Sequence, residues 1–376
     1  MKDLSIYVHI PFCEHKCIYC DFYSVTDFSA AKSFTENLKK EIESYSKNFS
    51  ENNCVKTIFF GGGTPSILEP EKIAEIIDSV KRNFTLDKNA EITLESNPGT
   101  LSSQKLEGYL KAGVNRLSVG VQSFFDDELK MLSRIHNSAT AVDTIKLAAD
   151  TGFENINLDM IFGLPKQSME KWKRNLEQVV ELPVKHISSY SLIVEEETPL
   201  YKMVERGKVK ILSDEFDAKF YLETVDFYKN FGFEQYEVSN FSKKDFECEH
   251  NLAYWEYKNY LGFGPSAHSF YEGNRWYNIN DVKKYNEYIS ANGEAVSGRE
   301  EVDKEQKLFE MVMLGLRARG IDLNSFKKNF GSDWLERNKN NFSLFEEKGF
   351  MKTDSSRLQL TPLGYSMCDE ILTKLL

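Results

Sequence analysis

No stretch of this sequence approaches the roughly 18 consecutive apolar residues that a membrane-spanning helix requires. The opening Met1-Lys2-Asp3-Leu4-Ser5-Ile6 also lacks the apolar run of a secretory signal. Both absences lead to the expectation of a cytoplasmic protein without a transmembrane segment. Positive charge is short as well: 47 Lys and Arg stand against 58 Asp and Glu, a net charge of −11. A generic binder of nucleic acid or anionic membrane needs clustered cations to release counterions, so no nucleic-acid partner is expected. Proline is sparse at 9 residues and glycine ordinary at 21, which excludes a collagen-like or low-complexity chain. Cysteine is scarce, with six in all, and three of those six, Cys13, Cys17 and Cys20, crowd into one loop. The others, Cys54, Cys248 and Cys368, are scattered. A disulfide framework is not spaced in this way, whereas a metal cluster is.

What is present in the first half is alternation. Short β-rich runs at Ser5–Ile10, Thr57–Phe60, Glu91–Glu95, Arg116–Val119, Asn155–Asp159 and His186–Tyr190 are separated by segments with apolar residues at helical spacing. Those segments, Ala31–Ser46, Pro70–Arg82, Ser102–Lys111, Ser138–Asp150 and Ser168–Val180, in several cases open on Ser or Pro as helix starts do. The pattern predicts an α/β fold with a parallel sheet. Periodicity alone does not separate an open Rossmann-type sheet from a curved partial barrel. The chemically suggestive residues do, because all of them lie just after a strand, where the loops of a β/α barrel build its site. We therefore expect a partial (β/α)6 TIM-like barrel over residues 1–200, a C-terminal α+β cap over 201–300, and a winged-helix-like helical tail over 301–376. The tail carries mixed charges and no basic stripe, which argues for packing or partner contact rather than DNA binding.

The densest chemistry is the C-x3-C-x2-C loop Cys13-Glu14-His15-Lys16-Cys17-Ile18-Tyr19-Cys20, directly after the first strand. Three thiolates so close can wrap one iron–sulfur cluster and leave one iron without a protein ligand. Zinc with His15 or His9 as fourth ligand is the competing reading, although structural zinc sites usually pair two separated arms. The second motif, Gly61-Gly62-Gly63-Thr64-Pro65, removes side chains so that backbone polar groups can approach a ligand, although on its own such a turn is more often just a tight connection. His250 and the aromatics Tyr254 and Trp255 in Cys248-Glu249-His250-Asn251-Leu252-Ala253-Tyr254-Trp255 suit an axial haem ligand with porphyrin-stacking faces, or else a structural histidine and core aromatics. A further run, Tyr260-Leu261-Gly262-Phe263-Gly264-Pro265-Ser266-Ala267-His268-Ser269, follows.

The cysteine loop on the first strand of a β/α series resembles the radical S-adenosylmethionine (SAM) superfamily. That resemblance implies a 4Fe–4S cluster on Cys13, Cys17 and Cys20, SAM on the open iron, and Tyr19 beside its adenine. Tyr7-Val8-His9-Ile10-Pro11-Phe12-Cys13, Leu94-Glu95-Ser96-Asn97-Pro98, Ser118-Val119-Gly120-Val121-Gln122-Ser123-Phe124 and Asn157-Leu158-Asp159-Met160-Ile161-Phe162-Gly163-Leu164-Pro165 extend it to the oxygen-independent coproporphyrinogen III dehydrogenase-like family. By position, Tyr7, Gly62, Gly63, Thr64, Glu95, Gln122, Arg134 and Asp159 match that family's SAM contacts. The competing reading, given less weight, is a salt-bridged strand end for Glu95 and Asp159 and a helix-surface charge for Arg134.

Two departures turn the reading away from the dehydrogenase. Its additional cysteine, two residues after the third, is here Phe22, and with the first strand expected from Ser5 its extension before that strand is not expected. Decarboxylation of coproporphyrinogen is accordingly not expected. The H-N-x-x-Y-W stretch is instead similar to the HemW-type haem chaperone branch. That implies haem as cargo held by His250, Tyr254 and Trp255, recipient haemoproteins at the membrane, and an electron donor for the cluster. The sequence leaves the oligomeric state open and is compatible with a homodimer.

Overall fold

Six parallel strands separated by helices occupy the first half of the computed structural model, which describes residues 1–376. In order they are β1 (Lys2–Ile10), α1 (Ala31–Phe49), β2 (Asn53–Gly62), α2 (Pro70–Asn83), β3 (Thr85–Ser96), α3 (Ser103–Ala112), β4 (Arg116–Gln122), α4 (Asp126–Met131), α5 (Ser138–Thr151), β5 (Asn155–Phe162), α6 (Met169–Val180) and β6 (His186–Ser191). The strands lie side by side in sequence order and pair in parallel, giving the partial β/α barrel expected from the alternation. Parallel strands are covered on both faces and so read as apolar runs: all seven residues of β4 are buried. In α1, Phe34, Leu38, Ile42 and Tyr45 recur three or four residues apart and are buried against the sheet. Each such side chain contributes roughly 1.5–3 kcal/mol of burial. Helix starts are fixed by the residues the sequence offers for them. Ser102, Asn137 and Ser168 each accept a backbone N–H of the first turn through their side chains.

Residues 201–300 do not form a separate layer over the barrel. They contain α8 and short strands that extend the same sheet at both edges. After α7 (Pro199–Glu205) and α8 (Asp214–Asn230), β7 (Glu234–Gln235) and β8 (Asn240–Ser242) add antiparallel to β6. Beyond α9 (Glu249–Trp255), β9 (Tyr260–Phe263) pairs parallel with β1, and β10 (His268–Tyr271), β11 (Asn274–Asn278) and, after α10 (Val282–Asn292), β12 (Val296–Glu301) continue outward antiparallel. The result is one 12-stranded sheet in the order β12-β11-β10-β9-β1-β2-β3-β4-β5-β6-β8-β7. A single core runs through barrel and extension, from Leu4 to Ala295. The expected cap is thus an extension of the barrel wall, because its aromatic strands complete the edge hydrogen bonds of β1 and β6.

The tail has its own core around Val312, Phe326, Trp334, Phe345, Leu358 and Leu372. It comprises α11 (Lys304–Leu316), β13 (Ile321–Asp322), α12 (Leu323–Phe330), α13 (Asp333–Arg337), α14 (Lys339–Glu347), β14 (Met351–Thr353), β15 (Arg357–Leu360), α15 (Pro362–Tyr365) and α16 (Cys368–Leu375). Its strands form a small antiparallel sheet, β13-β15-β14. Glu310 of α11 ties it to the wall, accepting from Tyr257 at 2.7 Å and from Arg275 at 2.7 Å. No helix is long and apolar enough to cross a membrane.

Candidate functional site

The cysteine loop leaves β1 at Ile10 and crosses the carboxyl ends of the neighbouring strands. Its thiols are free, Cys13 buried and Cys17 and Cys20 half-buried. Burial raises the Cys20 thiol to about 11, and the two neighbouring cysteines add to that. Iron offsets that cost by taking the sulfurs as thiolates, and the Arg134 guanidinium beside Cys17 supplies a counter-charge. No three His, Cys, Asp or Glu side chains converge at the spacing of a single bound ion.

A hydrogen-bonded chain ties two of the cysteines to three strand ends. Cys13 Sγ lies 3.5 Å from Thr64 Oγ1, which accepts from Asn97 Nδ2 at 2.9 Å. Asn97 Oδ1 in turn accepts from Arg134 Nη2 at 2.6 Å, and Arg134 Nη1 reaches Cys17 Sγ at 3.6 Å. Arg134 also donates to the Gly120 carbonyl at 2.6 Å, yet its buried Nε has no partner. A buried donor left unpaired in an otherwise saturated network marks where a polar ligand fits. Arg134 is thus held within this network and is not a free surface charge. Asn97, quoted only as part of a motif in the sequence, is the hinge of the chain.

Gly62 and Gly63 form the cradle. Gly62 has φ +104, and a Cβ there would fall 2.5 Å from the His9 ring; one on Gly63 would fall 2.6 Å from the Phe12 carbonyl. Only glycine lets the chain pass this close to the cysteine loop. Gln122 also has positive φ, +72, a strain of about 1–3 kcal/mol for a side-chain-bearing residue that is typical of binding sites. Its amide sits beside Arg134 and Asn97 over Gly120.

Glu95 and Asp159 face the barrel interior. Burial raises Glu95 to about 8, with the Asp159 charge adding and only the Gly62 N–H and the more distant Arg116 opposing. Burial likewise raises Asp159, despite hydrogen bonds from Asn157 at 2.8 Å and Ser118 at 3.2 Å. Two acids with insufficient cation nearby form a site that favours a positively charged ligand. Tyr7 donates to His9 Nδ1 at 3.0 Å, because His9 Nε2 is the donor to the Tyr23 carbonyl at 2.9 Å. Tyr19 packs on the small apolar cluster of Leu132, Ile161 and Leu164. Cys13, Cys17, Cys20, Tyr7, Tyr19, Gly62, Gly63, Thr64, Glu95, Gln122, Arg134 and Asp159 are therefore brought to one mouth by β1 to β5. A 4Fe–4S cluster on three thiolates and a cationic, amino- and carboxylate-bearing cofactor such as SAM fit these residues.

The H-N-x-x-Y-W stretch is divided by the fold. His250 is buried, with Nδ1 2.7 Å from Thr57 Oγ1 and Nε2 3.0 Å from the Tyr254 hydroxyl, and it stacks on Phe59 at 4.9 Å. Burial lowers it to about 3, so the imidazole is neutral with both nitrogens engaged. Tyr254 lines a cavity at the barrel mouth together with Tyr7, Phe22, Tyr23 and Tyr260. Trp255 lies elsewhere, in a cleft of about 300 Å³ between α9 and the tail, beside Leu252, Met311 and Phe326. Cys248 donates to Glu91 Oε1 at 3.5 Å, and burial lifts its thiol to about 12.

Sequence reasoning missed the buried Glu91. Its carboxylate accepts the backbone N–H groups of Glu249 and His250 at 3.1 Å each, at the start of α9, with Arg116 4.0 Å away. The one available signal was a pair of opposite charges at the starts of two neighbouring apolar runs, Glu91 in β3 and Arg116 in β4, whose register partner is Thr93.

Comparison with known proteins agrees with this architecture. The Radical SAM superfamily pattern matches residues 7–179 and the HemN C-terminal domain pattern matches residues 302–366. The chain is 35% identical over 371 residues to the Heme chaperone HemW of Bacillus subtilis (strain 168), covering 98% of this chain and 97% of that one. It is 32% identical over 377 residues to that of Lactococcus lactis, covering 100% and 98%. Among solved structures, the Escherichia coli coproporphyrinogen III oxidase HemN, described as a Radical SAM enzyme, shares the fold with a TM-score of 0.84 at 23% identity, over 100% of this chain and 90% of that one. With relatives matched end to end at more than 30% identity, and with the cysteine loop and glycine cradle standing where a radical SAM barrel has them, the chain belongs to the HemW family of the Radical SAM superfamily.

Proposed function

We propose that this protein is a haem chaperone that carries haem at the open mouth of a cluster-bearing radical SAM barrel and passes it to haemoproteins. The observation that carries this reading is Phe22. It stands where the related dehydrogenase has its additional cysteine, it is 64% exposed, and it lines the mouth cavity with Tyr7, Tyr23, Tyr254 and Tyr260. That wall offers flat apolar faces for a macrocycle and no thiol for redox work. The full-length relatives are themselves called heme chaperones. Likeness of fold to a coproporphyrinogen III oxidase at 23% identity does not carry that enzyme's activity to this chain.

In this reading Cys13, Cys17 and Cys20 hold a 4Fe–4S cluster, which when bound supplies an iron corner for SAM and a store for one electron. Arg134 fixes Cys17 and Asn97 together, keeping the loop closed against β3 and β4. Thr64 orients the Cys13 thiol. Glu95 and Asp159 neutralise the positive charge of SAM, Gln122 presents its amide to it, and the Gly62-Gly63 backbone receives its polar end. Tyr19 packs beside the adenine, and Tyr7 is locked by His9 at the boundary between cofactor and haem. His250 holds the Tyr254 wall in place. Residues 1–200 thus hold the cluster and SAM, 201–300 complete the wall for haem, and 301–376 stand against α9. The protein works in the cytoplasm, with an electron donor for the cluster and membrane haemoproteins as recipients.

Haem loaded on the anaerobically purified, cluster-bearing protein and mixed with an apocytochrome tests this. Transfer of the absorbance spectrum to the cytochrome is expected; retention of haem, or failure to load it, contradicts the reading.

A further inference from the structure

Of the six histidines, three have both ring nitrogens committed, and His136 has one committed while its other nitrogen is buried away from the mouth cavity. His9 bonds to Tyr7 and Tyr23, His136 to Val121, His186 to Asn157 and Tyr236, and His250 to Thr57 and Tyr254. His15 is exposed within the cysteine loop. The remaining one, His268, is exposed at the start of β10, lines the mouth cavity, and has no hydrogen-bond partner at either nitrogen. The histidine that the sequence motif nominates as a haem ligand is saturated and buried, and the one that faces the aromatic space is uncommitted.

His268 is also held in place. Its cross-strand partner on β11 is Tyr277, and the two rings stack at 5.3 Å and 27°. Tyr277 in turn pairs with Gly298 on β12, where a Cβ would fall 2.5 Å from the Tyr277 ring. Glycine there lets the tyrosine lie flat across the strand and hold the imidazole by its face. Stacking of this kind orients a ring without occupying its nitrogens, which is what an axial ligand needs. Burial, with the Arg275 charge in support, lowers the His268 imidazole, so the neutral form with a free lone pair predominates at neutral pH. The cavity holds about 390 Å³, within the roughly 300–1,000 Å³ of ordinary cofactor pockets.

We propose that His268, and not His250, is the protein's axial ligand to haem iron, with the macrocycle lying in the cavity between Phe22, Tyr23, Tyr254 and Tyr260. This rests on the haem-carrier reading above and names the bond that reading leaves open. His250 is then a positioning residue acting through the Tyr254 hydroxyl.

The test is a haemin titration of the full-length, cluster-loaded protein and of three variants, His268→Ala, His268→Cys and His250→Phe, with iron and sulfide content as the check on folding. Loss of a mere orienting partner costs about 10–100-fold in metal affinity, so His268→Ala is expected to weaken haem binding by at least that much. Imidazole added to His268→Ala is expected to restore the parent spectrum, and His268→Cys to bind with a thiolate-type spectrum in place of the imidazole one. His250→Phe is expected to keep the parent's imidazole-type spectrum. A parent that binds haem together with a His268→Ala variant of unchanged spectrum and affinity overturns the ligand assignment and leaves the carrier reading standing. A parent that binds no haem overturns both.

Discussion

Arg134 reaches the Cys17 sulfur at 3.6 Å while it holds Asn97 at 2.6 Å, so one side chain couples the cysteine loop to the end of β3. The coupling separates two kinds of damage. Cys17→Ser is expected to abolish iron and sulfide content, because it deletes a ligand. Arg134→Ala removes only an orienting partner and is expected to retain the cluster while SAM affinity falls about 10–100-fold. Calorimetric SAM titration under nitrogen, with iron analysis on the same samples, distinguishes them. Parent-like SAM affinity in Arg134→Ala would place Arg134 outside the site.

The glycine cradle makes a second prediction. Gly62→Ala would combine φ +104 with a Cβ 2.5 Å from the His9 ring. It is expected to lose at least about 1–3 kcal/mol of stability from backbone strain alone, and SAM binding with it. Gly99→Ala, where nothing lies within 4 Å of the added Cβ, should stay within about ±0.5 kcal/mol of the parent. Urea unfolding of the two variants side by side checks this, and equal midpoints would contradict the cradle.

Acid sensitivity follows from the buried histidines. Burial lowers His9 and His136 to about 4, His250 to about 3, and His186 well below its ordinary value. An unfolded imidazole takes up a proton near pH 6.5, which the buried one refuses, so this contribution to stability is present above pH 6.5 and is lost as pH falls toward 3. Glu41 and Glu237, raised to about 7, and Glu95, raised to about 8, all by burial, work in the opposite sense. Their contribution is present below about pH 4.5 and lost as pH rises through 7 to 8. The two sets oppose each other between about pH 4.5 and 6.5, so a single-site variant gives the clear reading. His250→Phe is expected to have a stability profile shallower than the parent's below pH 6.5 by up to about 1.4 kcal/mol per pH unit. Superimposable slopes would mean that His250 is not buried neutral.

The scattered cysteines give a control on the cluster. Cys54 and Cys368 lie far in sequence from the loop, and Cys368 is buried in the tail core. Serine at either position is expected to leave iron content unchanged, with Cys368→Ser costing about 1–3 kcal/mol for burying a hydroxyl. Loss of iron in either variant would contradict the assignment of ligands to Cys13, Cys17 and Cys20.

Much of this architecture was legible in the sequence because parallel strands leave a strong imprint. The six apolar runs lie within β1 to β6, and the five helical segments within about one residue of the helix starts. The mouth residues were legible because a site at strand ends places each motif at a fixed step of the alternation. Residues 201–300 were harder, since β7 to β12 are short and mix Tyr, Trp, Asn and Arg on an edge half open to solvent. The pairing of β8 with β6 joins residues such as His186 and Ser242, and that of β9 with β1 joins residues as distant as Ser5 and Tyr260, which no local pattern reports. For the same reason the stretch Cys248 to Trp255 read as one motif, although a seven-residue helix turns Tyr254 toward the barrel and Trp255 toward the tail. His268 was quoted but given no role, because its distinction is the absence of a hydrogen bond.

Haem carriage beside a radical SAM cluster is tested most directly on one anaerobic preparation divided between two assays, haemin titration and coproporphyrinogen III turnover with SAM and a reductant. The account predicts saturable haem binding at one site per chain and no protoporphyrinogen above the blank. Product formation without haem binding would contradict it.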